Sequence, residues 1–177
     1  ANHLILSSPV ISPAKWRTLM TLEREGFSRE FIELNYAQEL GLEAAIRAIA
    51  DQAEAAVRGG KVLLVLSDRN IGPGKLPAHP ALAVGAVHHR LVEQGLRCNC
   101  NILVETATAR DPHHFAVLCG FGASVVYPYL AYEVLSDLVR NGEVLGDVHE
   151  VFKYYRKGIS KGLLKVLSKM GISTIAS

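Results

Sequence analysis

An α/β fold is predicted, built on a mainly parallel sheet with βαβ crossovers flanked by helices, either open or closed into a partial barrel. Three observations predict it. Val62-Leu63-Leu64-Val65-Leu66 and Ile102-Leu103-Val104 are apolar without alternation, as expected of strands covered on both faces of a parallel sheet. Segments with apolar residues every three or four positions lie between such runs. Strand and helix patterns then alternate along 177 residues. That length suits one domain burying roughly 70% of the surface its unfolded chain exposes.

Taken in order, strands are expected at Phe31 to Tyr36, Val62 to Ser67, Asn101 to Thr106, Ser124 to Tyr127 and Ile172 to Ala176, with a weaker pattern at Leu4 to Leu6. The first clear helix carries Leu42, Ala45, Ile46, Ile49, Ala53 and Val57 on one stripe and Glu43–Arg47 and Glu54–Arg58 as i,i+4 pairs, and it stops at Gly59-Gly60. A second, from Pro80 to Glu93, has little charge before Arg90 and is expected to be covered on more than one side. A third starts after Asp111-Pro112, where Asp can cap and Pro fits the first turn, and ends by Gly120. A fourth covers Ala131 to Arg140, and a last helical region runs from Val148 to Lys169 with Gly158 and Gly162 weakening its middle. Residues 70 to 80 read as a long turn-rich connection.

Composition narrows the function classes. An apolar share of 49% with 20% charged residues is that of a globular protein, and a net charge of +2 without blocks of one sign implies neither nucleic acid nor an anionic membrane as partner. Cys98, Cys100 and Cys119 are too few for a disulfide framework, and Cys-Asn-Cys is not a zinc spacing, so a reducing, cytoplasmic compartment is expected. No apolar run approaches the ~20 residues that span a bilayer. The chain starts at Ala1 without an initiator Met, which leads us to expect a piece of a longer protein.

Ligands of parallel sheets collect at the carboxyl ends of the strands, so Asp68, Arg69, Glu105 and Thr106 are candidates to orient a small anion or another domain. Structurally they also suit a turn cap and ion pairs among Arg69, Glu105 and Arg110. His88-His89 and His113-His114 are adjacent pairs whose members diverge by about 100° on a helix, so neither pair chelates one ion, and no metal site is assigned. Gly72-Pro73-Gly74-Lys75 lacks the ending and the following helix of a phosphate loop. Tyr127, Tyr129, Tyr132, Phe152, Tyr154 and Tyr155 suit either a contact face or a covered sheet end, and Lys157, Lys161, Lys165 and Lys169 read as one solvated helix face.

Several blocks resemble the glutamate synthase family, in its large subunit. They are Ser67-Asp68-Arg69, the segment Pro80 to His89, Val104-Glu105-Thr106 with Arg110-Asp111-Pro112-His113-His114-Phe115, Gly120 to Ala123, Tyr127 to Glu133, and Lys161 to Thr174. The likeness covers nearly the whole chain and falls on the family's central domain, with residues 1–171 as the connecting domain and 172–177 as the start of the junction to an absent flavin domain. It implies a parent enzyme that hydrolyses glutamine, channels ammonia, adds it to 2-oxoglutarate and reduces 2-iminoglutarate with electrons passed through an iron–sulfur cluster to FMN. The family's N-terminal Cys nucleophile is not present at Ala1-Asn2, nor is its group of three cysteines, so no catalytic residue and no cofactor of its own is expected here. By the same resemblance the partners are the glutaminase and FMN domains of one polypeptide, with an electron-donating subunit or ferredoxin serving the parent. Met170, Gly171 and Ser173 are expected near FMN or 2-oxoglutarate, and Asp68, Arg69, Glu105, Arg110, His113 and His114 are expected to form an interdomain polar network. A free-standing anion-binding module using Asp68, Glu105 and Arg110 is the alternative.

Overall fold

The computed structural model describes residues 8–24 and 26–171. Its elements are α1 (Pro13–Thr21), β1 (Arg29–Glu33), β2 (Asn35–Ala37), α2 (Leu42–Arg58), β3 (Leu63–Ser67), β4 (Lys75–Pro77), α3 (Pro80–Glu93), β5 (Asn101–Glu105), α4 (Pro112–Phe121), β6 (Val125–Tyr127), α5 (Tyr129–Arg140) and α6 (Val148–Lys169). β1, β3, β5 and β6 form a parallel sheet in that order, and Val10 continues the β6 edge through a parallel bridge to Val126. The fold is thus α/β and mainly parallel. The strands expected at Leu4 to Leu6 and Ile172 to Ala176 lie outside the described residues.

Each βαβ unit joins sheet neighbours. Because such crossovers are right-handed, the helices that make them fall on one face. Accordingly Leu64, Leu66, Ile102, Val104 and Val126 pack with Ile49 and Ala53 of α2, Val84 and Val87 of α3, and Phe115 of α4. Alternate residues Leu63, Val65, Leu103, Val125 and Tyr127 point to the opposite face, which Trp16 and Leu19 of α1, Tyr132 of α5 and Phe152 of α6 cover. This winding, with neighbours in chain order, is shared by open singly wound sheets and by partial (β/α) barrels, and here helices cover the second face. Trp16 stacks on Tyr127 with ring centroids 4.8 Å apart, Phe152 meets Tyr132 edge-on at 4.9 Å, and the Tyr132 hydroxyl donates to the Ile11 carbonyl at 2.7 Å. Of the two expectations for the tyrosines, the covered sheet end holds for Tyr127 and Tyr132, while Tyr154 is exposed.

Three elements differ from expectation. The strand expected at Phe31 to Tyr36 is two: β1 ends at Glu33, and β2 leaves the main sheet to pair antiparallel with β4. The break follows from Asn35, whose side-chain amide donates to Glu33 Oε1 at 2.7 Å and to the Asp68 carbonyl at 2.8 Å, turning the chain across the end of β3. β4 lies in the connection read as irregular; it is three exposed residues including Pro77, too short and broken for a sheet pattern. α1 was not expected, although Ser12 caps it and Pro13 fills its first position.

Gly162 and Gly158 play opposite parts in α6. A Cβ at Gly162 would lie 2.4 Å from Pro112 Cγ, so glycine there lets α6 cross the start of α4, whereas a Cβ at Gly158 meets nothing within 4 Å. Near the other end of α4, Arg97 donates to His88 Nδ1 at 3.0 Å and to the carbonyls of Cys100 and Gly122 at 2.9 and 2.8 Å. Burial first and the Arg97 charge second hold His88 below the usual imidazole range, in keeping with a neutral ring that accepts this bond. Replacing Gly162 by Ala is expected to lower stability by about 1–3 kcal/mol through overpacking, and Gly158→Ala to raise it by about 0.5–1 kcal/mol through helix propensity. Urea unfolding of the two variants checks this, and equal effects would contradict the crossing geometry.

Candidate functional site

The carboxyl ends of the strands are the place where a parallel sheet gathers ligand-binding groups. Here they gather a polar network centred on Asp68 and Glu105, each only 5% exposed. Asp68 follows the last residue of β3, where the strand's hydrogen bonding leaves its side chain free to turn toward its neighbours. Its carboxylate accepts from the Thr106 hydroxyl at 2.6 Å, the Tyr129 hydroxyl at 2.8 Å and the Ala107 amide at 3.1 Å. Its main-chain amide donates to the Glu105 carbonyl at 3.1 Å, continuing the β3–β5 ladder.

Glu105, at the end of β5, accepts from the Ser67 hydroxyl at 2.7 Å through one oxygen and from Arg69 at 3.1 Å through the other. Arg69 reaches on to Glu133 of α5 at 3.2 Å, and its guanidinium lies 5.1 Å from the centre of the Tyr129 ring. Burial works against the charge of Arg69, but the hydrogen bond and charge of Glu105 outweigh it and raise the guanidinium further. Tyr129 is pushed well above the usual phenol range, first by burial and then by the Asp68 carboxylate to which it donates. The hydroxyl is therefore a fixed proton donor to Asp68 and not a base.

Each oxygen of the two buried carboxylates thus has a partner from the chain itself. A buried carboxylate is tolerated only under that condition. Asn35 orients the outer rim, and its side-chain carbonyl oxygen is buried with no partner among the described residues.

The site residues expected from sequence fall into three places. Asp68, Arg69 and Glu105 come together as above. Arg110, His113 and His114 form a separate group at the start of α4, where Asp111 Oδ1 accepts from the amides of His113 and His114 at 2.9 and 3.2 Å and His114 Nδ1 accepts from the Arg110 amide at 3.1 Å. This is a reciprocal helix cap with an imidazole in the position usually held by Glu or Gln, and it holds the Asp111 carboxyl below its usual range, chiefly through the His114 amide. The Arg110 side chain is exposed and makes no hydrogen bond or ion pair with Asp68 or Glu105 among the described residues. Met170 and Gly171 follow α6 and are exposed, and Ser173 lies outside the described residues.

Sequence reasoning placed Thr106 at the strand ends without making it a partner of Asp68, gave Tyr129 only a contact face or a covered sheet end, and missed Asn35 and Ser67 as partners. A usable signal existed for Ser67 and Thr106, which adjoin the candidate acids at the strand ends. Among the described residues no three His, Cys, Asp or Glu side chains converge as metal ligands, and no helix is long and apolar enough to cross a membrane. Truncating Asp68 to Ala leaves three donors unpaired, and a loss of about 2–4 kcal/mol is expected, against less than about 0.5 kcal/mol for Glu133→Ala at the solvent edge. Denaturant unfolding of the two variants measures the difference, and an Asp68→Ala chain as stable as the parent would refute the role given to this carboxylate.

Comparison with known proteins fits this architecture to a family. The model of the glutamate synthase central domain matches residues 1–177. The chain is 37% identical to the Bacillus subtilis glutamate synthase [NADPH] large chain over 176 residues, covering 99% of this chain and 11% of that protein. It is 38% identical to the chloroplastic ferredoxin-dependent glutamate synthase of Oryza sativa, covering 100% and 12%, and 36% identical to the Schizosaccharomyces pombe glutamate synthase [NADH], covering 99% and 9%. The chain therefore spans about a tenth of the length of these relatives. Among solved structures, a mutant flavocytochrome b2 with benzoylformate superposes with a TM-score of 0.52 at 16% identity, covering 78% of this chain and 36% of that one, a likeness of fold alone. With a parallel sheet of the expected winding and a family match running from its first residue to its last, the chain belongs to the glutamate synthase central domain family.

Proposed function

We propose that this domain is the connecting segment of an enzyme that makes L-glutamate from glutamine-derived ammonia and 2-oxoglutarate. It would hold a glutaminase domain and an FMN domain of the same polypeptide in register, without catalysing a step itself. The observation that carries this reading is the internally satisfied network at the strand ends. The place where a parallel sheet would take a ligand is filled by Tyr129, Arg69 and the two buried carboxylates they bind.

The cysteines described do not fit the iron–sulfur cluster of such a parent. Cys98 lies exposed within the short turn Arg97–Asn99 before β5, Cys100 is buried just after it, and Cys119 lies half-buried near the end of α4, so no group of thiolates is assembled for an iron–sulfur cluster. FMN and the cluster are placed in the rest of the polypeptide, and the electrons reach them from an electron-donating subunit or ferredoxin. Residues 1–171 are assigned to the connector and 172–177 to its junction with the flavin domain, so that Met170, Gly171 and Ser173 approach the flavin side. The exposed edge of the network, Arg69 with Glu133, and the exposed group Arg110, His113 and His114 are assigned to contacts with the neighbouring domains. A second surface supports a role in assembly. Leu82, Val117 and Phe121 are 46–51% exposed on the outer side of α3 and α4 beside an apolar groove of about 740 Å³, where another domain of the same long polypeptide would cover them. The parent is placed in the cytoplasm.

The reading is tested in the complete polypeptide carrying this domain, with Glu133→Ala and Arg110→Ala combined, which leaves the Arg69–Glu105 pair in place. Glutamine hydrolysis is expected to stay within about twofold of the parent, while glutamate formed per glutamine hydrolysed falls severalfold and ammonia appears in solution. An unchanged ratio would contradict the coupling role.

A further inference from the structure

We propose that the cleft between the first turn of α1 and the N-terminal half of α6 is a binding site for a phosphate group. The cleft has a volume of about 340 Å³. Lys15 on one side and Lys153, Arg156 and Lys157 on the other line it, together with hydroxyls that include those of Ser12 and Ser160, and no carboxylate lines it. Among the described residues none of the four cations forms an ion pair. Outside the described residues, 1–7 and 172–177 contain neither Asp nor Glu, and Glu25 is the one acid.

This arrangement differs from the paired charges of α2. On α2, Arg47 and Arg58 each meet a glutamate one turn away. Lys153 and Lys157 stand one turn apart on α6 with the same sign, an arrangement that weakens a helix, and Lys15 adds to the repulsion from the opposite wall. Sets of groups that break a local rule without an internal gain mark functional positions.

The walls are also firmly seated. Ile11 is bound to the edge of β6 through its amide to the Val126 carbonyl at 3.2 Å. Phe152 and Ile159 are buried on α6 at either end of the three cations, and the Ser8 and Ser160 hydroxyls meet at 2.9 Å to close one end of the cleft. Several cations and hydroxyl donors around one small concavity match a group with a charge of about −1.5 to −2 and several acceptor oxygens. A small dicarboxylate spreads two charges over two separated groups and so matches one small concavity less well. Inorganic phosphate and the phosphate monoester of a small metabolite share this chemistry.

The test is a heteronuclear NMR titration of the 177-residue chain at constant ionic strength, with separate arms for inorganic phosphate, glycerol phosphate and succinate. Saturable shifts of the amides around Ser12 and Arg156 are expected with both phosphates, and tighter binding by one of them identifies the source. Replacing Lys153 and Lys157 together by Ala is expected to weaken phosphate at least tenfold, whereas replacing Lys161 and Lys165, on the same helix beyond the cleft, changes it less than twofold. Matching circular dichroism melts of the two double variants exclude a folding effect. Absence of saturation, equal weakening by both pairs, or succinate binding as tightly as phosphate would each overturn the proposal.

Discussion

A carboxylate held away from water survives only if its oxygens are hydrogen-bonded, and at the end of β3 that condition recruits groups from most of the elements around it. Asp68 draws in Thr106 and Ala107 after β5 and Tyr129 at the start of α5, while its carbonyl receives Asn35 from β2. The position of β2, the turn after β5 and the start of α5 all follow from satisfying one side chain and its peptide. Glu105 repeats the device one strand over, with Ser67 and Arg69. Such networks are stable when every member is paired, and both carboxylates here are.

The winding of the sheet decides what this knot can serve. Since the crossover helices share one face, the second face would stand open, and α1, α5 and the start of α6 cover it with Trp16, Tyr132 and Phe152. α6 continues past the β6 side to pack Ile159, Leu163 and Leu167 with the helical face, so that one helix contributes to both cores. Gly162 makes that path possible at the crossing with α4. A unit braced on both faces and tied at its polar end suits a part that sets the distance between neighbours. Its exposed apolar residues lie on the outer helices, as Leu82, Val117 and Phe121 do, and also at Phe31 of β1, at Leu76 of β4 and at Ile71 in the connection after β3.

Much of this was legible in the amino-acid order, and the omissions share a cause. β3 and β5 are buried on both faces, and their unbroken apolar runs show it. α2 shows its stripe and its ion pairs. β1 and β2 fused into one expected strand because the break at Leu34 is imposed by the bonds of Asn35 to Glu33 and Asp68, the latter 33 positions away. β4 is three exposed residues and leaves no pattern, while α1 carries its signal only in Ser12-Pro13. At the site, the strand-end rule pointed to Asp68, Arg69 and Glu105. Their partners Tyr129 and Asn35 become visible only once the strands are laid side by side. Arg110, His113 and His114 are near in sequence to the acids but belong to the local cap of α4.

At the strand ends the chain's own groups occupy the positions a ligand would take, and the proposed connector role follows from that closure. Titrating the 177-residue chain with FMN, followed by flavin fluorescence and absorbance, and separately with 2-oxoglutarate, tests it most directly. No saturable binding of either is expected up to near-millimolar concentration. Saturable micromolar binding of FMN or 2-oxoglutarate would contradict it and show that a cofactor or substrate site is built into this domain.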